Sequence, residues 1–205
     1  MVWDYQQVDR AKPWVVLVCL YPLLRWIFLG FTDGLSANPA EFLTRSSGTW
    51  TLVGLLVVLL ITPLKTMFKF PALVRLRRLI GLMTFFYAFL HMLAWAWWEH
   101  SLVIKDMARD VVVRPFVTVG VIAFVPMTLM ALTSNQFAIR ILRRHWKTLH
   151  RVVYLVVVAA IVHYWLHKSG KNDFFQVWIY GLVAAALLGW RLVAFIRRKA
   201  SGVQA

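Results

Sequence analysis

Six histidines are the side chains in this chain best suited to hold a transition metal, and three of them stand where a charge is costly. His91 lies in "RRLIGLMTFFYAFLHMLAW", and His150 and His163 lie in "WKTLHRVVYLVVVAAIVHYW". An ionisable residue inside a long apolar run marks a functional site by default. A neutral imidazole is also among the commonest metal ligands. The single cysteine, Cys19, cannot form an internal disulfide and excludes cysteine-ligated metal or iron–sulfur chemistry. His167 sits one turn beyond His163 on the same helical face, where it would be solvated or near the site's edge. His100, beside Glu99, and His145, amid arginines, read as surface residues.

The elements that must carry these imidazoles are membrane spans. The chain of 205 residues is 61% apolar and only 15% charged, against about a quarter charged in a soluble domain. Its apolar residues fall in blocks of roughly twenty, the length that crosses a bilayer core. Six helical spans are expected at about 14–31, 49–68, 79–98, 115–133, 148–167 and 174–196, making one all-α membrane domain over 1–205. The first block follows Arg10 and Lys12 and reads as a retained signal anchor. Pro63 and Pro126 fall within spans two and four, where a packed bundle tolerates kinks.

The net charge of +15 reads as topology rather than as a nucleic-acid signal. Basic residues gather in alternate loops: Arg10 and Lys12; Lys65, Lys69, Arg75, Arg77 and Arg78; Arg140, Arg143, Arg144, Lys147 and Arg151; and Arg191, Arg197, Arg198 and Lys199. The opposite side holds Arg25, Arg45, Lys105, Arg109, Arg114, Lys168 and Lys171, diluted by acids. The positive-inside rule therefore places both termini in the cytoplasm.

Depth then pairs the histidines. Spans three and five both run outward, with His91 about 18 Å and His163 about 22 Å along them at about 1.5 Å per residue. Two imidazoles at one level on different helices suit the axial ligation of haem. His150, thirteen residues before His163, is the candidate ligand of a second, inner haem. On a straight helix the two side chains point about 140° apart, so a shared face needs a bend. The inner half of span three offers Arg77 rather than a second histidine, leaving His145 or an open position opposite His150. A proton channel or transporter using the histidines as a relay is the competing reading; a non-redox anchor is a third.

No GxGxxG or GxxxxGK[ST] motif is present, and no polar stretch is long enough for the βαβ unit of a nucleotide-binding domain. Electrons would therefore enter from a separate protein or a lipid-soluble quinol, and leave to a partner. The chain reads as an electron-transfer subunit rather than a catalytic one. The outer loops "TDGLSANPAEFLTRSSG" and "EHSLVIKDMARDVVVR" are the expected docking surfaces.

"NPAEFLTRSSGTWTL", "ITPL" and the two histidine-bearing runs resemble, in order and spacing, the haem-binding membrane subunits of bacterial methionine sulfoxide reductase systems. These belong to the ferric-reductase-like transmembrane superfamily. The resemblance implies a six-helix b-type cytochrome of the bacterial inner membrane. It would pass electrons to MsrP, a periplasmic molybdenum-cofactor enzyme that repairs methionine sulfoxide. It further implies the quinone pool or a cytosolic flavin reductase as donor, FMN beside haem b, and His91, His150 and His163 as haem ligands.

Overall fold

Helix starts are written into the loops. Asn38 accepts a hydrogen bond from the Glu41 amide at 3.1 Å, and its own amide meets the Glu41 carboxylate at 3.4 Å. Pro39 occupies the first helical turn, where its missing N–H costs nothing. Pro115 opens another helix in the same manner, and Asn135 caps a third by accepting from the Ala138 amide at 2.8 Å. The computed structural model describes residues 5–170 and 172–200; Lys171 and the Arg198 side chain, both counted in the charge asymmetry, lie outside the described residues.

Among those residues the elements are α1 (Tyr5–Phe31), α2 (Pro39–Met67), α3 (Val74–Ala94), α4 (Ile104–Val113), α5 (Pro115–Leu132), α6 (Gln136–Leu142), α7 (Arg144–Arg151), α8 (Val153–Ser169) and α9 (Phe175–Ala200), with no strand. A short 3-10 turn, Pro71–Leu73, precedes α3, and a π-helical turn, Trp95–Glu99, follows it. Six helical stretches are long and apolar enough to cross a membrane, α7 and α8 together forming the fifth.

Two boundaries differ most from the sequence expectation. The first span starts at Tyr5 rather than near residue 14, because its charged turn is held by ion pairs of Asp9 with Lys12, at 2.6 Å, and with Arg75. The second starts at Pro39, so half of the expected outer loop is helix, with Glu41 and Arg45 paired one turn apart at 2.5 Å.

The bundle is organised around two antiparallel pairs, α2 with α3 and α5 with α8. Leu55, Leu56 and Leu59 of α2 meet Ala88 of α3, Ala123 and Met127 of α5, Val153, Val156 and Val157 of α8, and Ala184 and Leu187 of α9. Phe85 and Phe124 stack at 5.8 Å between α3 and α5. The outward faces keep their apolar side chains exposed, as at Trp14, Phe28, Leu155, Leu182 and Phe195, and such a surface suits lipid.

Pro63 stays within α2, and the cost of that placement is met by the last span. A proline leaves the carbonyl four residues earlier without its helical donor, here that of Leu59. Arg191 of α9 donates to the Leu59 carbonyl at 2.7 Å, to Thr62 Oγ1 at 3.1 Å and to the Tyr154 hydroxyl at 2.9 Å.

Candidate metal centre

His91 and His163 face each other, as their depths along the spans suggest: their ring centroids are 6.0 Å apart, with planes at 83°. Both rings are partly buried. The Nδ1 of His91 lies 2.8 Å from the Thr44 carbonyl, and the Nδ1 of His163 lies 2.6 Å from the Phe116 carbonyl. A carbonyl oxygen only accepts, so each Nδ1 carries the proton and each Nε2 keeps its lone pair. Outer-shell bonds of this kind fix the tautomer and orientation of a metal-bound imidazole.

The spacing suits one metal atom between the rings. A metal–imidazole bond of about 2 Å on each side, plus roughly 1 Å from nitrogen to ring centre, gives a separation of about 6 Å. The pair thus satisfies the first requirement for bis-histidine haem: two imidazoles with free Nε2 atoms on separate helices, at the spacing one metal atom needs.

His150 has different company. It stacks on Trp146 at 4.0 Å, with Nδ1 3.1 Å from the Trp146 carbonyl and Nε2 3.4 Å from Ser134 Oγ. Arg77 is close enough to act on it electrostatically. His145, on the same short helix, is exposed, and no second imidazole is brought against His150 among the described residues. Between His150 and His163 the helix is interrupted by one residue: α7 ends at Arg151, Val152 forms a turn with right-handed helical backbone, and α8 begins at Val153. His167 packs edge-on against Phe116 at 5.4 Å, next to the His163 site.

His100 is not the surface residue that its loop suggests. It is partly buried, 3.0 Å from Asp110 and edge-on to Trp95 at 4.9 Å. Asp110 also accepts from Trp95 Nε1 at 3.0 Å and pairs with Arg114, which reaches on to Glu99 at 2.9 Å. Glu99, His100 and Asp110 have ligand atoms within 4.8 Å of one another, but Arg114 pairs with both carboxylates. This is an ionic knot tying α4 to the end of α3. Burial raises the Asp110 pKa, yet the hydrogen bonds from Arg114, Trp95 and His100 outweigh it and hold the carboxyl below its ordinary value.

An apolar recess of about 420 Å³ lies among α1, α2, α3 and the π-helical turn, lined by residues including Trp26, Leu43, Ser47, Leu90, Ala94 and Trp97, and neither His91 nor His163 lines it. The sequence reading missed the two carbonyls and the Asp110 knot. Backbone acceptors leave no residue-type signal, and the knot joins side chains across a π-helical turn that has none either.

Fold and site together define a polytopic membrane protein in which imidazoles of two spans face each other with ring centres 6.0 Å apart. The profile of the ferric reductase like transmembrane component family matches residues 47–161, a stretch that holds His91 and His150 and ends two residues before His163. The chain is 56% identical over 192 residues to the protein-methionine-sulfoxide reductase heme-binding subunit MsrQ of Bordetella pertussis, covering 94% of this chain and 93% of that one. It is 42% identical to the protein of the same name from Polaromonas naphthalenivorans over 89% of this chain and 84% of that one, and 40% identical to that of Caulobacter vibrioides over 87% and 84%. The chain belongs to the ferric reductase-like transmembrane family, within its MsrQ branch of haem-binding subunits. No solved structure matches it.

Proposed function

We propose that this chain is a b-type cytochrome that carries electrons across the bacterial inner membrane to a periplasmic MsrP-like molybdoenzyme for repair of methionine sulfoxide. The observation that supports it is the opposed His91–His163 pair, with both Nδ1 atoms anchored and both Nε2 atoms left for iron. The relatives' name, a haem-binding reductase subunit, agrees with that use. When bound, haem supplies a one-electron Fe(III)/Fe(II) couple. His91 and His163 would hold it, orient it across the bundle and remain neutral in a low-dielectric setting.

His150 is the proposed contact for an inner haem, toward the side carrying the termini, where electrons would enter from quinol or a cytosolic flavin reductase. Arg77 and the basic turns of α6 and α7 suit the carboxylates of such a group or an acidic donor. Both termini are assigned to the cytoplasm on the basic-loop asymmetry. FMN, a family expectation, has no residue set of its own among the described residues, and no step is routed through it.

The test is a reduced-minus-oxidised spectrum of the purified protein. A b-type band that is lost in His91→Ala and in His163→Ala supports the ligation. An undiminished band in both variants rejects it, and a colourless native protein whose activity follows a pH gradient moves the reading to a proton relay. Counting haem per polypeptide with His150→Ala decides whether an inner haem exists.

A further inference from the structure

The two imidazole anchors are built alike. His91 reaches the carbonyl of Thr44 and His163 that of Phe116, each 47 residues earlier in the chain. Four residues after each carbonyl stands a glycine, Gly48 on α2 and Gly120 on α5. In a helix the amide of residue i bonds the carbonyl of residue i−4, and the Cβ of residue i leans toward the N-terminus. A side chain at 48 or 120 therefore leans over the very carbonyl that the imidazole uses. A Cβ at Gly48 would stand 3.0 Å from His91 Cε1 and 3.1 Å from its Nδ1. At Gly120 it would stand 2.9 Å from His163 Nδ1 and 3.0 Å from Cε1. Ordinary carbon contacts lie at about 3.5–4.0 Å, so at either position the imidazole would have to shift to make room.

We infer that Gly48 and Gly120 are positioning residues for the two iron-ligating imidazoles: each keeps one helical carbonyl open so that a histidine on the paired helix donates Nδ1–H to it. This rests on the His91–His163 ligation proposed above. The carbonyl has a second lone pair, so it accepts from the imidazole while keeping its helical bond. The bond polarises the ring and strengthens Nε2 as a donor to iron, favouring the ferric state. The α2–α3 and α5–α8 pairs thus deliver two closely equivalent ligands, although their sequences show no repeat.

Gly48→Ala and Gly120→Ala test this against Gly81→Ala and Gly189→Ala, positions where an added Cβ meets nothing within 4 Å. Purified proteins are compared for haem content, the rate of haem loss to apomyoglobin, midpoint potential and the electron paramagnetic resonance of the ferric state. The expected result is haem loss about 10- to 100-fold faster in both site variants, with a potential raised by about 59 mV for each tenfold weakening of ferric relative to ferrous binding. The two controls keep native values. Gly48→Ala and Gly120→Ala proteins indistinguishable from Gly81→Ala overturn the inference.

Should either site variant fail to fold, the unsubstituted protein decides. Electron–nuclear double resonance of its ferric haem should show a ligand Nδ1 proton that exchanges slowly in D2O, and a proton that is absent or exchanges at once overturns the inference. Undiminished haem content in both His91→Ala and His163→Ala would sink the ligation itself, whereas native-like glycine variants beside histidine variants that lose haem would sink only the positioning role.

Discussion

Arg191 shows how one residue holds this bundle together. Its guanidinium serves the carbonyl that Pro63 leaves bare, within a span where water is scarce. Arg191→Met should lower thermal stability in detergent by about 1–3 kcal/mol, the cost of an unsatisfied buried acceptor. A double-mutant cycle isolates the cause: Pro63→Ala returns an N–H to the Leu59 carbonyl, so Arg191→Met should cost less in that background. Additive losses would show that Arg191 acts through Tyr154 or Thr62 instead. Of this scale, the histidines were legible in the sequence because an imidazole in an apolar run is conspicuous. Arg191 read only as one of the tail's charges, since its partner is a backbone atom on another span. The same reason hid Thr44 and Phe116.

Among the elements, α4 is the one whose placement depends on charge. Its exposed apolar side chains, among them Ile104 and Val112, offer little protein contact, and the knot of Asp110 with Trp95, His100 and Arg114 holds it to the end of α3. Asp110→Asn should release α4 and raise hydrogen exchange over residues 104–113 while leaving the haem spectrum intact. The pH dependence has a definite sign. Asp110 binds its proton less tightly folded than unfolded, so its contribution is complete above the unfolded value, about 3.9, and is lost as pH falls below that through the folded value. Protection of α4, exchange corrected for its intrinsic dependence on pH, should be flat from about pH 5 to 8 and fall in acid, with the fall absent in Asp110→Asn. Span existence was legible from apolar blocks of membrane length. The early starts of α1 and α2 were not, because helices extend past the lipid on capping and ion-pair chemistry that hydropathy does not register. The break at Val152 likewise has no proline or glycine to announce it.

For the whole molecule, the proposed topology puts both termini on one side of the membrane, and the charge asymmetry is the ground for proposing that side as the cytoplasm. Tags at the two ends of the chain should be shielded from a membrane-impermeant reagent in intact cells and exposed together in inverted vesicles; opposite behaviour of the two ends would contradict an even number of crossings. The architecture of paired helices was readable only in outline, because pairing is decided by side-chain fit between distant segments. It also bears on how the protein is made. The carbonyl bared by Pro63 waits 132 residues for its guanidinium, which at about 5–20 residues per second of synthesis is roughly 7 to 26 s. During that interval the second span sits in the translocon with an unmet polar group. A chain stopped before its sixth span should therefore linger beside the insertion machinery, where crosslinking can catch it, rather than move off into lipid.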